Sequence, residues 1–201
     1  MPNNIWNSVS IDAKTDETKE QLKGFIEKSL RKGCCSTEGC NNEAYKVDFN
    51  LLIPMPKELK EANAKPFLET DELDEEALDR IKKYGYESWY SFGVHEWGTK
   101  WNAWDTDVIE INEEKLRMSF ITAWATPIEW LLRISEEFPK LTIYLDVNGE
   151  TEERGELILK DGTVIEELWT AQQWWGTEDD NKLDMEEIEV QINNNEQEET
   201  T

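Results

Sequence analysis

Apolar and polar positions alternate in two different rhythms along this chain, and the switches between them predict its elements. In NIWNSVSID (4–12), Ile5, Val9 and Ile11 alternate with polar neighbours, which predicts a first strand. Residues 15–33 change period. Leu22, Phe25, Ile26 and Leu30 share one helical face, Thr15 or Asp16 can cap the start, and Gly33 can stop the end. The polar loop CCSTEGCNNEA (34–44) follows. Then YKVDFNLLIPMP (45–56) reads as a second strand, ended by two prolines. Residues 57–72 are acidic and irregular. A helix is expected from about Asp74, with Leu78, Ile81 and Trp89 as core positions and Gly85 breaking it into two pieces.

The second half is more regular. Segments 107–111 and 116–122 alternate around the polar turn NEEK, as a hairpin or one long bulged strand. Thr126 can cap a helix with Pro127 at its first position, and Ile128, Leu131, Leu132 and Ile134 form its apolar face. LTIYLDV reads as a strand, and GELILKDGTVIEELW as a hairpin turning at Asp161-Gly162. Helices that alternate with strands predict an α+β domain: a ferredoxin-like sheet covered by helices, with an added C-terminal hairpin. A split βαβ unit fits the first elements. Residues 1–177 form this domain. From 178 onward there are ten acids and one base, Lys182, so 178–201 reads as an acidic tail that is disordered or weakly helical.

Composition narrows the functions. The 201 residues include 45 acids and 21 basic residues, a net charge of −24. Duplex DNA binding needs a basic footprint, so no direct nucleic-acid role is expected. The charge suits either a partner protein with a basic surface or solubility alone. Ten tryptophans argue for a folded core. No apolar run of about 18 residues predicts a membrane span, and MPNNIWNSVS lacks a basic-then-apolar signal pattern. The expected setting is the cytosol.

No convergent catalytic device is visible. His95 is the single histidine, and no G-x-S-x-G stretch marks a nucleophile. P-loop and G-x-G-x-x-G phosphate cradles are also missing from the sequence. Cys34, Cys35 and Cys40 with His95 could supply four soft ligands, but CC-x4-C with a distant histidine is a poor match to zinc spacing. Neither metal nor cofactor is expected.

The richest stretch is VHEWGTKWNAW (94–104). Extended or helical, it brings its indoles together, with Lys100 able to lie on a ring face. His95, Trp97, Thr99, Lys100, Trp101 and Trp124 are therefore candidates for binding a ligand. The competing reading is that Trp97, Trp101 and Trp104 pin a loop onto the sheet, their N–H groups bonded inside. In AQQWWG (171–176), Trp174 and Trp175 cannot face the same way on a strand. One is a candidate partner anchor, or the pair is a lid on the core.

Four pieces occur in order: VSI near the start, VDFNLLIPMPKEL at 47–59, WGTKWNAWD at 97–105 and FITAWATPIEWLLRISEEFP at 120–139. Together they resemble the YubB-like, Api-type proteins of bacteriophages and plasmids, over about residues 1–160. The resemblance implies a ferredoxin-like fold, a mobile-element origin and a cytosolic setting, and brings no catalytic residues. CCSTEGC and the acidic tail lie outside these motifs. The expected function is a non-enzymatic acidic binding protein that occupies a host protein, a defence or nucleic-acid-handling factor, in the strongest form by DNA mimicry. The alternative is a small-molecule binder that sequesters a nucleotide or signalling metabolite at Trp97 and Trp101.

Overall fold

The structure is a computed structural model, and it describes residues 3–34, 43–62, 75–150 and 154–169. Its main sheet contains β1 (Asn4–Asp12), β4 (Trp104–Ile111), β5 (Lys115–Ala123), β6 (Ile143–Gly149), β7 (Arg154–Lys160) and β8 (Thr163–Trp169). They lie in the order β4-β5-β1-β6-β7-β8, with every neighbouring pair antiparallel. A second, two-stranded sheet pairs β2 (Leu30–Cys34) with β3 (Glu43–Val47). The helices are α1 (Asp16–Ser29), α2 (Lys57–Glu61), α3 (Glu75–Tyr84), α4 (Trp89–Phe92) and α5 (Ile128–Glu137).

Both β5 and β6 run antiparallel to β1, so they are parallel to each other with β1 between them. With α5 as the crossover, β5-α5-β6 is a split βαβ unit, the ferredoxin-like signature. The fold class is as expected, and β1 and β4 are likewise parallel with β5 between them, so β1-α1-β4 is a second split unit. The strand expected at 45–56 does not complete it, because the chain after α1 leaves the main sheet for β2 and β3 before returning at β4. The expected second strand also stops at Val47: Asp48 caps a tight turn at Phe49–Leu51 by accepting from Asn50 N.

Period-two burial sets the faces. Ile5, Asn7, Val9 and Ile11 of β1 point inward with Leu116, Met118 and Phe120 of β5 and Ile143, Leu145 and Val147 of β6. Onto them pack Leu22 and Phe25 of α1 and Trp130, Leu131 and Ile134 of α5. Each such side chain contributes roughly 1.5–3 kcal/mol on burial. Helix α1 starts with a reciprocal cap, in which Thr15 Oγ1 accepts from Thr18 N at 3.2 Å and Thr18 Oγ1 accepts from Thr15 N at 2.9 Å. It ends at Ser29 rather than at Gly33, since Leu30 turns extended to pair with Val47. Helix α5 begins one residue later than expected, with Pro127 at the cap position and no side-chain capping bond.

Gly85, at φ +82, divides α3 from α4. On α3 the buried residue is Ala77; Leu78, expected in the core, is 42% exposed, and Ile81 and Trp89 are half-buried. The expected hairpins form at β4-β5 and β7-β8. The second turns through Asp161 (φ 50) and Gly162 (φ 71), the paired left-handed geometry that Asp-Gly favours.

Candidate functional site

A wide π-helical turn, Gly93–Trp97, follows α4 and ends at Gly98. Gly98 adopts φ +77, and a Cβ there would sit 3.0 Å from Ile128 N. This left-handed residue, wedged against the start of α5, reverses the direction of the motif. Just before it, Trp97 points inward. Trp97 is 3% exposed, its ring packs against Phe49 at 5.7 Å and Phe92 at 5.6 Å, and its Nε1 donates to Ile53 O at 3.1 Å. Thr99, just after the turn, is also buried, and its Oγ1 donates to Ala123 O at 2.8 Å. These two candidates for ligand contact are therefore packing residues. The expected grouping of Trp97 with Trp101 is replaced by separate environments, because Gly98 turns the backbone between them.

Beyond Thr99 the chain is half-buried, from Lys100 to Trp104. Lys100 Nζ lies 4.8 Å from the Trp101 ring centroid and 5.8 Å from those of Tyr90 and Trp124. Trp101 in turn packs on Trp104 at 6.0 Å. Trp124 is 51% exposed and has φ +73, a conformation costly for a bulky L-residue. The sequence pointed to Lys100, Trp101 and Trp124, and the structure brings them together. It did not point to Tyr90, whose only signal was a place one turn before Gly93.

His95 goes elsewhere. It is exposed and stacks on Tyr86 at 6.0 Å and 22°. The Tyr86 hydroxyl donates to Glu96 Oε1 at 2.5 Å, and Arg133 Nη2 pairs with Glu96 Oε2 at 3.4 Å. Burial, reinforced by the Glu96 carboxylate, pushes the Tyr86 phenol up to about 12. A neutral, hydrogen-donating tyrosine beside a carboxylate is a structural tie, not a general base at neutral pH.

The two most distinctive motifs meet at Asp48. Its Oδ1 accepts from Asn102 Nδ2 at 2.8 Å and from Asn50 N at 3.1 Å, and its Oδ2 pairs with Arg31 at 2.5 Å. Asn102 Oδ1 accepts from Phe49 N at 2.9 Å. Burial alone would raise the Asp48 pKa, but the bonds from Asn50 and Asn102, with Arg31, outweigh it and hold the carboxyl below its usual 3.8. DFN and WNAW are thus welded to each other, and this explains several of their polar residues without a ligand.

The family model described as the ferredoxin-like domain in Api92-like protein matches residues 96–196, about half of the chain. The chain belongs to this Api92-like family. The match begins inside the tryptophan-rich motif and continues into the acidic segment after 178. Among solved structures, the chain is similar to the crystal structure of a protein api92 from Yersinia pseudotuberculosis, at 10% identity, covering 86% of this chain and 99% of that one, with a TM-score of 0.47. No curated protein matches.

Among the described residues, no group of three or more His, Cys, Asp or Glu side chains could hold a metal ion. No helix among them is long and apolar enough to cross a membrane. Cys35, Cys40, Trp174, Trp175 and the acidic tail lie outside the described residues, as does the side chain of Cys34.

Proposed function

We propose that this chain is a non-enzymatic acidic binding protein that occupies a partner protein with a basic surface. The observation that carries the reading is the corner formed by exposed Tyr90 and Trp124 and half-buried Trp101 around Lys100, on a chain of net charge −24. Exposed tryptophan and tyrosine supply large contact area and dominate binding hot spots. A non-glycine residue strained at φ +73 and half-exposed points to function rather than packing. Charge of this size steers a cationic partner and excludes nucleic acid.

In its full form, the protein serves a phage or other mobile element inside a host cell, and the partner is a host defence or nucleic-acid-handling factor whose basic groove it blocks. Affinity capture from bacterial lysate, followed by a salt titration of the purified pair, tests this. Binding should weaken as salt screens the acidic surface. A pair indifferent to salt, or no specific partner, would sink the reading.

A second reading is a small-ligand binder, favoured by the same lysine among three rings. A base or other planar anion could stack on Trp101 or Trp124 while contacting Lys100. Fluorescence titration across a nucleotide panel separates the two: a response removed by Trp101→Ala supports the small ligand, and a flat response returns the corner to protein recognition.

A further inference from the structure

The face of the main sheet opposite α1 and α5 carries side chains in registered rows. One row runs Trp6 (β1), Ile121 (β5), Trp104 (β4). Trp6 is 40% exposed, whereas Ile121, although on the helix-free face, is only 8% exposed. Its cross-strand neighbours Trp6 and Trp104 flank it. The next row runs Asp146 (β6), Ser8 (β1), Ser119 (β5), Asp107 (β4). Two serines therefore form a low floor, bounded on one side by the tryptophans. Beyond Asp146 the row continues to the exposed Glu156 of β7, and the two aspartates are exposed as well. Three strand spacings separate them, about 14 Å between backbones. Of the cations on this face, Arg117 already serves Asp12 at 2.8 Å and the Ile11 carbonyl at 2.9 Å, and Arg154 lies on β7 across from Asn148.

From these rows we infer that the trough floored by Ser8 and Ser119 is a docking site for arginine side chains of a protein partner. The reasoning rests on the proposed function and deepens it by naming the surface and the chemistry recognised. A guanidinium can lie flat against Trp6 or Trp104 and fork its N–H groups onto Asp107 or Asp146. Small serines leave room for it and offer hydroxyl acceptors. Nucleic acid is disfavoured there, because the two aspartates repel phosphate. Trp104 also packs on Trp101, so the trough joins the Lys100 corner in one aromatic ridge along which a chain could lie.

The test is calorimetric titration of the full chain with a blocked tetra-arginine peptide. The wild type should bind, and Asp107→Asn with Asp146→Asn should lose at least tenfold in affinity. Glu20→Gln with Glu27→Gln removes the same charge from exposed positions of α1 and should change affinity less than twofold. Ser119→Phe fills the floor without touching charge and should also abolish binding. Thermal unfolding confirms that each variant is folded. Equal losses in the two charge variants, unaltered binding by Ser119→Phe, or no binding by the wild type would overturn the trough. None of these results touches the salt titration of a captured partner, so the trough and the broader function can fail separately.

Discussion

Trp97 and Trp101 are four residues apart and have opposite surroundings. Trp97 is buried among Phe49 and Phe92 with its indole N–H satisfied by Ile53. Trp101 lies against Trp104 with a lysine over its ring. Between them is one left-handed glycine, seated on the first turn of α5. A concentration of rare residues thus resolves into two halves with different work: the inner half fixes the loop, and the outer half, held by it, presents aromatics to solvent. Fixing the loop is what makes the outer rings a surface of defined shape, since tryptophans on a loose loop would lose conformational entropy on binding.

The sharpest way to break this division is to truncate each tryptophan. Trp97→Ala should cost about 3–5 kcal/mol by opening a cavity beside Phe49, and Trp101→Ala under about 1 kcal/mol, both read from urea unfolding. Equal costs would dissolve the distinction. Next in size is Gly98→Ala. The left-handed penalty and the pressure of a Cβ on Ile128 N should together cost about 2–3 kcal/mol, and the outer rings should lose their fixed place, seen as changed near-ultraviolet dichroism.

A smaller effect belongs to Asp48, which ties the outer half back through Asn102. Its carboxyl is held below the usual 3.8 in the folded state, so folding favours the carboxylate. The stability this contributes is complete above the unfolded pKa and is lost as pH falls through the lower folded one. Asp48→Asn should cost about 1–2 kcal/mol at neutral pH and flatten the acid side of the stability profile. An unaltered acid slope would show that other carboxylates carry it.

Local pattern explains which parts of this arrangement were legible. Alternation placed β1, the Asp-Gly pair placed the β7-β8 turn, and Gly85 marked its break, because each depends on residues within a few positions. Sheet membership does not. Nothing in YKVDFN announces that β3 leaves the main sheet, and the bond that explains Asp48 and Asn102 spans 54 positions. Trp130, the largest fully buried side chain among the described residues, lies outside the expected aliphatic face of α5, because an indole with a polar N–H gives a weaker core signal than Leu or Ile. Tyr90 carries no local signal, because its partners, Lys100 and Trp124, converge only after β5 folds alongside β1.

The smallest stability effect is expected at Trp124, and there the order of two variants matters more than either value. Its backbone N–H donates to Asn3 O at 2.8 Å, a bond that any substitution by a non-proline residue keeps. Glycine at φ +73 relieves a left-handed penalty of about 1–2 kcal/mol, against an unfolded-chain entropy cost of about 0.5–1 kcal/mol and the loss of a half-exposed indole. Trp124→Gly should therefore stay within about 1 kcal/mol of the wild type. Trp124→Ala loses the same indole and keeps the strain, so it should be less stable than the glycine variant, the reverse of the usual ranking. Both should lose partner affinity by the same large factor, because the indole is gone from each. If alanine proves the more stable, the backbone at 124 carries no strain worth explaining. Trp124 would then be an ordinary surface residue beside Lys100, and the outer half would rest on Trp101 and Tyr90 alone.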